Sequence, residues 1–190
     1  MWRLFEDEVS FARVSTLARR FQPGDHAALV YTEPEEAADF CAAYLRDGAA
    51  RGEHLVMTAP ADLRLAIEAR LVMAEPSAIS VFEPATAYAD FEPERVADRY
   101  AELAACFDGP VRMLCGLDAE AVSGVRLEDW RRYERLAHDK ILDLGVTALC
   151  VYDGKNLPIG FPPVAIEGHP LLSRNAADLK RNPDFKYAAG

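Results

Sequence analysis

Five short apolar runs, separated by longer stretches with an apolar residue at every third or fourth position, constrain this chain more than any other feature. The runs are HAALVY (26–31), HLVMTA (54–59), AISVFEP (78–84), VRMLCG (111–116) and VTALCVYD (146–153). Short apolar runs bounded by turn residues read as strands buried on both faces. The stretches between them have helical spacing. Ala37, Phe40, Cys41, Tyr44 and Leu45 share one face, as do Val96, Tyr100, Leu103 and Phe107, and Trp130, Tyr133, Ala137 and Ile141. PADLRLAIEARL (60–71) is a further helix, opened by Pro60. Strands joined through helices need crossover connections, so the expected fold is α/β, a mostly parallel central sheet with helices on both faces. In such sheets ligands bind outside the carboxyl ends of the strands. Here those ends fall near Tyr31-Thr32, Thr58-Ala59, Glu83, Cys115-Gly116 and Tyr152-Asp153.

Local signals mark the boundaries. Phe11, Val14, Leu17, Ala18 and Phe21 suggest a helical N-terminal extension over residues 1–23, broken at Pro23-Gly24. Thr32 with Glu35 fits a capping box, and Pro34 suits a first helical turn. Gly48 and Gly52 lie near the end of that helix, and Gly109-Pro110 stops the third one. Residues 157–190 are broken by prolines and short polar clusters. They are expected to be largely irregular, with a brief helix near 162–167 and one strand near 171. With no repeat and no low-complexity linker, residues 1–190 read as one domain.

Composition excludes several functions. The chain has 190 residues, 51 % of them hydrophobic, and a net charge of −10. The basic residues cluster only as the pairs Arg19-Arg20 and Arg131-Arg132, which argues against direct binding of nucleic acid or an anionic membrane. No apolar run approaches the roughly 20 residues of a membrane helix, and acids occupy the N-terminus where a signal peptide has its apolar core. A cytoplasmic protein is the expectation. Cys41, Cys106, Cys115 and Cys150 form no C-x-x-C motif and read as buried free thiols. His26, His54, His138 and His169 are scattered. No metal or cofactor is expected from their spacing.

The loop Thr32-Glu33-Pro34-Glu35-Glu36 sits where many nucleotide-binding α/β domains carry a phosphate loop. Such a loop needs glycines, so that backbone N–H groups converge on the anion, and a lysine for the outer phosphates. This loop has neither, and it has three glutamates. Two carboxylates within about 6 Å of a phosphate oppose it by several kcal/mol at an effective dielectric near 20. In WRRYERLAHD, Glu134 and His138 share a helix face and read as solvated, though a Glu–His pair has acid–base capability. DGKN (153–156) reads as a turn. Tyr31, Phe82, Tyr88, Phe91 and Tyr152 lie at or beyond strand ends, where they either close the core or line an apolar pocket.

The stretch GDHAALVYTEPEEAADFCAAYLRDGAARGEHLVMTAP resembles the opening of the RecA/KaiC-like ATPases. More closely, DHAALVY, AAYLRDGAARGEHLVM, WRRYERLAHDKI, ALCVYDGKNLP, GHPLL and RNPDF, in that order over residues 24–187, resemble MEDS, the sensory domain of methanogens, methylotrophs and the regulator DcmR. The resemblance implies a three-layer RecA-like fold that has lost the phosphate loop. It also implies signal reception, since such domains accompany DNA-binding or histidine-kinase modules. Residues 1–23 are too short for a helix-turn-helix and nothing follows residue 190, so output is expected to pass through a partner chain, a histidine kinase or a transcription regulator. The resemblance brings no ligand residues with it.

The expectation is therefore a non-catalytic sensory or adaptor domain, with Tyr31, Thr32, Glu33, Phe82, Cys115, Tyr152 and Lys155 facing a small organic ligand. The alternatives are a ligand-free interaction module, such as a homodimer, and a residual NTPase using Lys155.

Overall fold

The computed structural model describes residues 21–71, 79–174 and 178–186. The helix expected over residues 1–23 lies almost wholly outside them. Seven strands form one sheet in the order β3-β2-β4-β5-β1-β6-β7. They are β1 (His26–Tyr31), β2 (His54–Thr58), β3 (Ser80–Phe82), β4 (Val111–Leu117), β5 (Thr147–Asp153), β6 (Leu171–Arg174) and β7 (Asp178–Arg181). All pairings are parallel except β6 with β7. The helices are α1 (Pro34–Ala50), α2 (Ala61–Leu71), α3 (Pro84–Ala87), α4 (Pro93–Ala105), α5 (Leu127–Leu144) and α6 (Phe161–Gly168).

The alternation of side chains along a strand sorts the core into two layers. Ala27, Leu29 and Tyr31 of β1, Leu55 and Met57 of β2, and Leu149 and Val151 of β5 pack with Phe40, Cys41 and Tyr44 of α1 and Leu63 and Ile67 of α2. The residues between them face the other way. Ala28, Leu117 and Tyr152 meet Val96 of α4, Trp130 and Tyr133 of α5, and Phe161 and Val164 of α6. Val56, Met113, Cys115 and Ala148 complete that layer. Helices cover both faces, which is why the central strands are apolar throughout. The molecule is a three-layer α/β structure.

Several local expectations change. Thr32 and Glu35 do not form a capping box. Glu33 is the N-cap, and its side chain makes no capping hydrogen bond, while Pro34 does occupy the first turn. Thr32 Oγ1 donates to Glu36 Oε2 at 3.3 Å, and Glu35 is drawn off to Arg70 at 2.6 Å. Ion pairing thus competes with the cap. Gly48 lies inside α1 and is buried. Cys106 is exposed, because it follows the last turn of α4; Cys41 and Cys115 are buried and Cys150 partly so. The tail is more regular than its prolines suggest. It supplies α6, β6 and a second strand, β7, held as an antiparallel edge.

Candidate functional site

The two ends of the sheet differ in chemistry. At the carboxyl end, the β1 and β5 loops are tied together. Gly154 N–H donates to Tyr31 O at 2.7 Å. Asp153 Oδ1 accepts from the Lys155 and Asn156 N–H groups at 2.9 and 3.0 Å, the turn that DGKN implied. Lys155 Nζ pairs with Glu33 Oε1 at 3.0 Å, with both side chains more than half exposed. The structure therefore brings Thr32, Glu33 and Lys155 into one exposed corner. It puts Tyr31 in the α1–α2 layer and Tyr152 and Cys115 in the opposite one. Phe82 is half-buried on β3 and packs against the cluster that holds Cys115, with β2 and β4 between it and the strands of Tyr152 and Tyr31. The aromatics beyond the strand ends fill space against one another. Tyr88, Phe91, Tyr133 and Phe161 all lie within 5.8 Å of the Trp130 ring, centroid to centroid. They close the core.

At the amino end, side chains far apart in the chain converge. His26 opens β1, Glu134 and His138 lie one turn apart on α5, Cys150 is in β5, and His169 follows α6. His26, His138, His169 and Glu134 are all buried. The solvated face expected for Glu134 and His138 is thus covered, because α6 and the tail pack over α5. His26 Nδ1 is 3.2 Å from His138 Nδ1, and His26 Nε2 is 3.4 Å from Cys150 Sγ. The His26 and His169 rings are 3.9 Å apart. Tyr152 Oη–H donates to Glu134 Oε1 at 2.7 Å, and Glu134 Oε2 lies 3.8 Å from His169 Nε2.

Burial sets the protonation of this group. It pushes the Glu134 carboxyl up to about 8, against the pull of the Tyr152 hydrogen bond. It pulls His169 down to about 4, against the hydrogen bond to Ala165 O. His26 falls well below 6.5, from burial first and then from His169 and His138. Near neutral pH every member can be uncharged, which is how such a cluster is tolerated in a dry interior.

Two cavities touch the cluster. One, of about 30 Å³, lies between the sheet and helices α4 and α5 and is lined by His26, Tyr100, Met113, Cys115, Tyr133 and Cys150 among others. The other is a groove of about 530 Å³ at the amino ends of β1 and β6, walled by Asp25, His26, His138, Arg181, Asn182 and Phe185 among others. His26 faces both. Neither its convergence with Glu134 and Cys150 nor the groove was legible from spacing, since the residues sit on four separate elements. The one local signal was the polar residue His26 opening an otherwise apolar strand.

No helix of the described residues is long and apolar enough to cross a membrane. No curated protein matches the chain. The family model of the MEthanogen/methylotroph, DcmR Sensory domain matches residues 25–167, from the start of β1 to the end of α6. That span includes both ends of the sheet and most of the buried cluster, and the chain belongs to the MEDS family of sensory domains.

Proposed function

We propose that this chain is a sensory domain without catalysis of its own, which receives a small organic signal in the groove at the amino ends of β1 and β6 and relays it to a partner protein. The supporting observation is that His26 and His138 line this groove and meet each other, while His26 also touches Cys150 and the buried His169. A molecule in the groove thereby acts on a pair of side chains whose hydrogen bonds reach the sheet interior. Leu142, Pro170, Leu171 and Phe185 give the groove an apolar wall, and Asp25, Asp139 and Arg181 give it polar points. That suits a compound with an apolar body and one or two polar atoms. The moving part is the segment after β7, which carries Asn182 and Phe185. Asn182 holds it through Nδ2–H groups donated to Ile166 O and His169 O. A signal acts by favouring one position of this segment over another. The loop at 32–36 supports the non-catalytic side of the reading, since it has three glutamates and neither the glycines nor the lysine of a phosphate loop.

The test is a thermal-shift and native mass-spectrometry screen of small organic compounds against wild type, His138→Ala and Lys155→Ala. A signal bound in the groove raises the melting temperature of wild type and Lys155→Ala and leaves His138→Ala unmoved. A hit lost in Lys155→Ala instead overturns the groove and moves the site to Tyr31, Thr32, Glu33 and Lys155. If nothing binds any of the three, the sensory pocket fails and the interaction-module reading takes its place.

A further inference from the structure

We propose that His26, Cys150 and His169 form a binding site for one transition-metal ion of the Zn²⁺ class. Their ligand atoms all lie within 4.8 Å of one another. The Cys150 Sγ to His26 Nε2 distance, 3.4 Å, already matches two donors on one tetrahedral ion, with metal–sulfur about 2.3 Å and metal–nitrogen about 2.0–2.1 Å. A movement of about 1 Å brings the remaining donor in.

His169 is oriented for the task. Its Nδ1–H donates to Ala165 O at 2.7 Å, which leaves the lone pair on Nε2. A backbone carbonyl on the outer nitrogen is the usual support of a metal-bound imidazole. That Nε2 is buried and has no hydrogen-bond partner among the described residues. A buried polar atom left so destabilises the fold, and an ion removes that cost. His26 has a similar support: its Nδ1 meets His138 Nδ1 at 3.2 Å, which directs Nε2 toward Cys150.

Two imidazoles and a thiolate select borderline and soft ions over Mg²⁺ and Ca²⁺. The ion displaces the Cys150 proton on binding, and the thiolate so formed offsets part of the charge of the dication in this dry place. The described residues supply three ligand atoms here, so the fourth position falls to water or to a donor atom of an incoming molecule. The site does not depend on the groove being a receptor, and the two tests can fail separately.

The experiment titrates the chelator-treated full chain with Co²⁺ and then Zn²⁺. One equivalent of Co²⁺ should give the visible bands of a tetrahedral site and a thiolate charge-transfer band, and Zn²⁺ should displace both. Cys150→Ser should remove the charge-transfer band. His169→Ala should weaken binding about tenfold or more. Cys106→Ser, at the exposed thiol, should change neither. A folded wild type that shows no thiolate band, or a band that survives Cys150→Ser, overturns the assignment. The wild-type titration decides alone if a variant does not fold.

Discussion

Glu134 shows how one buried side chain couples this protein to pH. Its carboxyl has an ordinary value of 4.5 and is held at about 8 in the folded state. Between those values the folded chain keeps a proton that the unfolded chain has lost, so stability declines as pH rises through that range. His169 and His26 act in the opposite sense. Their folded values lie below 6.5, so they cost stability as pH falls beneath 6.5 and nothing above it. The window from pH 6.5 to 8 therefore isolates Glu134 within the cluster. Metal-free protein should lose stability across it, by at most about 1.4 kcal/mol per pH unit. Glu134→Gln should flatten that slope. Denaturant unfolding at both ends of the window, with chelator present, measures it. An equal slope in the two proteins would show that Glu134 is already ionised in the folded state.

At the scale of elements, the join between α1 and the sheet rests on Arg112 of β4, a fully buried cation. Its Nη1–H groups donate to Tyr44 O at 2.8 Å and Asp47 Oδ2 at 3.2 Å, and Nη2–H donates to Glu53 Oε1 at 3.2 Å. The guanidinium also lies 4.7 Å from the centroid of the Tyr44 ring. The helix leaves room for it at Gly48, where a Cβ would come within 2.6 Å of Arg112 Cδ and 2.9 Å of Leu55 Cδ2. Inside a helix alanine is worth about 1 kcal/mol more than glycine. Here the clash should win, because hydrogen bonds and ring contact hold the arginine in place. Gly48→Ala is expected to destabilise by about 1–3 kcal/mol, the usual cost of overpacking. Urea unfolding checks this, and a variant more stable than wild type would show that Arg112 can move aside.

For the whole molecule, the tail completes the fold at the β6 edge. β7 covers β6 from Leu171 to Arg174, and Asn182 ties the tail to α6 and to His169. Without residues 178–190, β6 would present unpaired N–H and C=O groups, a template for a second chain. His138 would also lose the ring of Phe185, now 5.0 Å from its own. The truncated chain should melt lower than the full chain and form concentration-dependent oligomers in size-exclusion chromatography with light scattering. A truncation that remains monomeric at all concentrations would remove the edge-protecting role from β7.

The sequence by itself determined the layer architecture, because apolar runs and helical spacing are local signals that burial on two faces enforces. It also showed that residues 32–36 lack the glycines and the lysine of a phosphate loop, since these must be present in the loop itself. Which polar residues meet was decided only by the tertiary structure. His26, Glu134, Cys150 and His169 lie on strands and helices whose order in space, with β1 between β5 and β6, differs from their order in the chain. Spacing along the chain carries no information about such a meeting. The same holds for Glu134 and His138, whose helix face looks solvated until α6 and the tail fold over it. Their burial, their altered protonation and the groove beside them are properties of packing, and packing is where this chain's candidate chemistry arises.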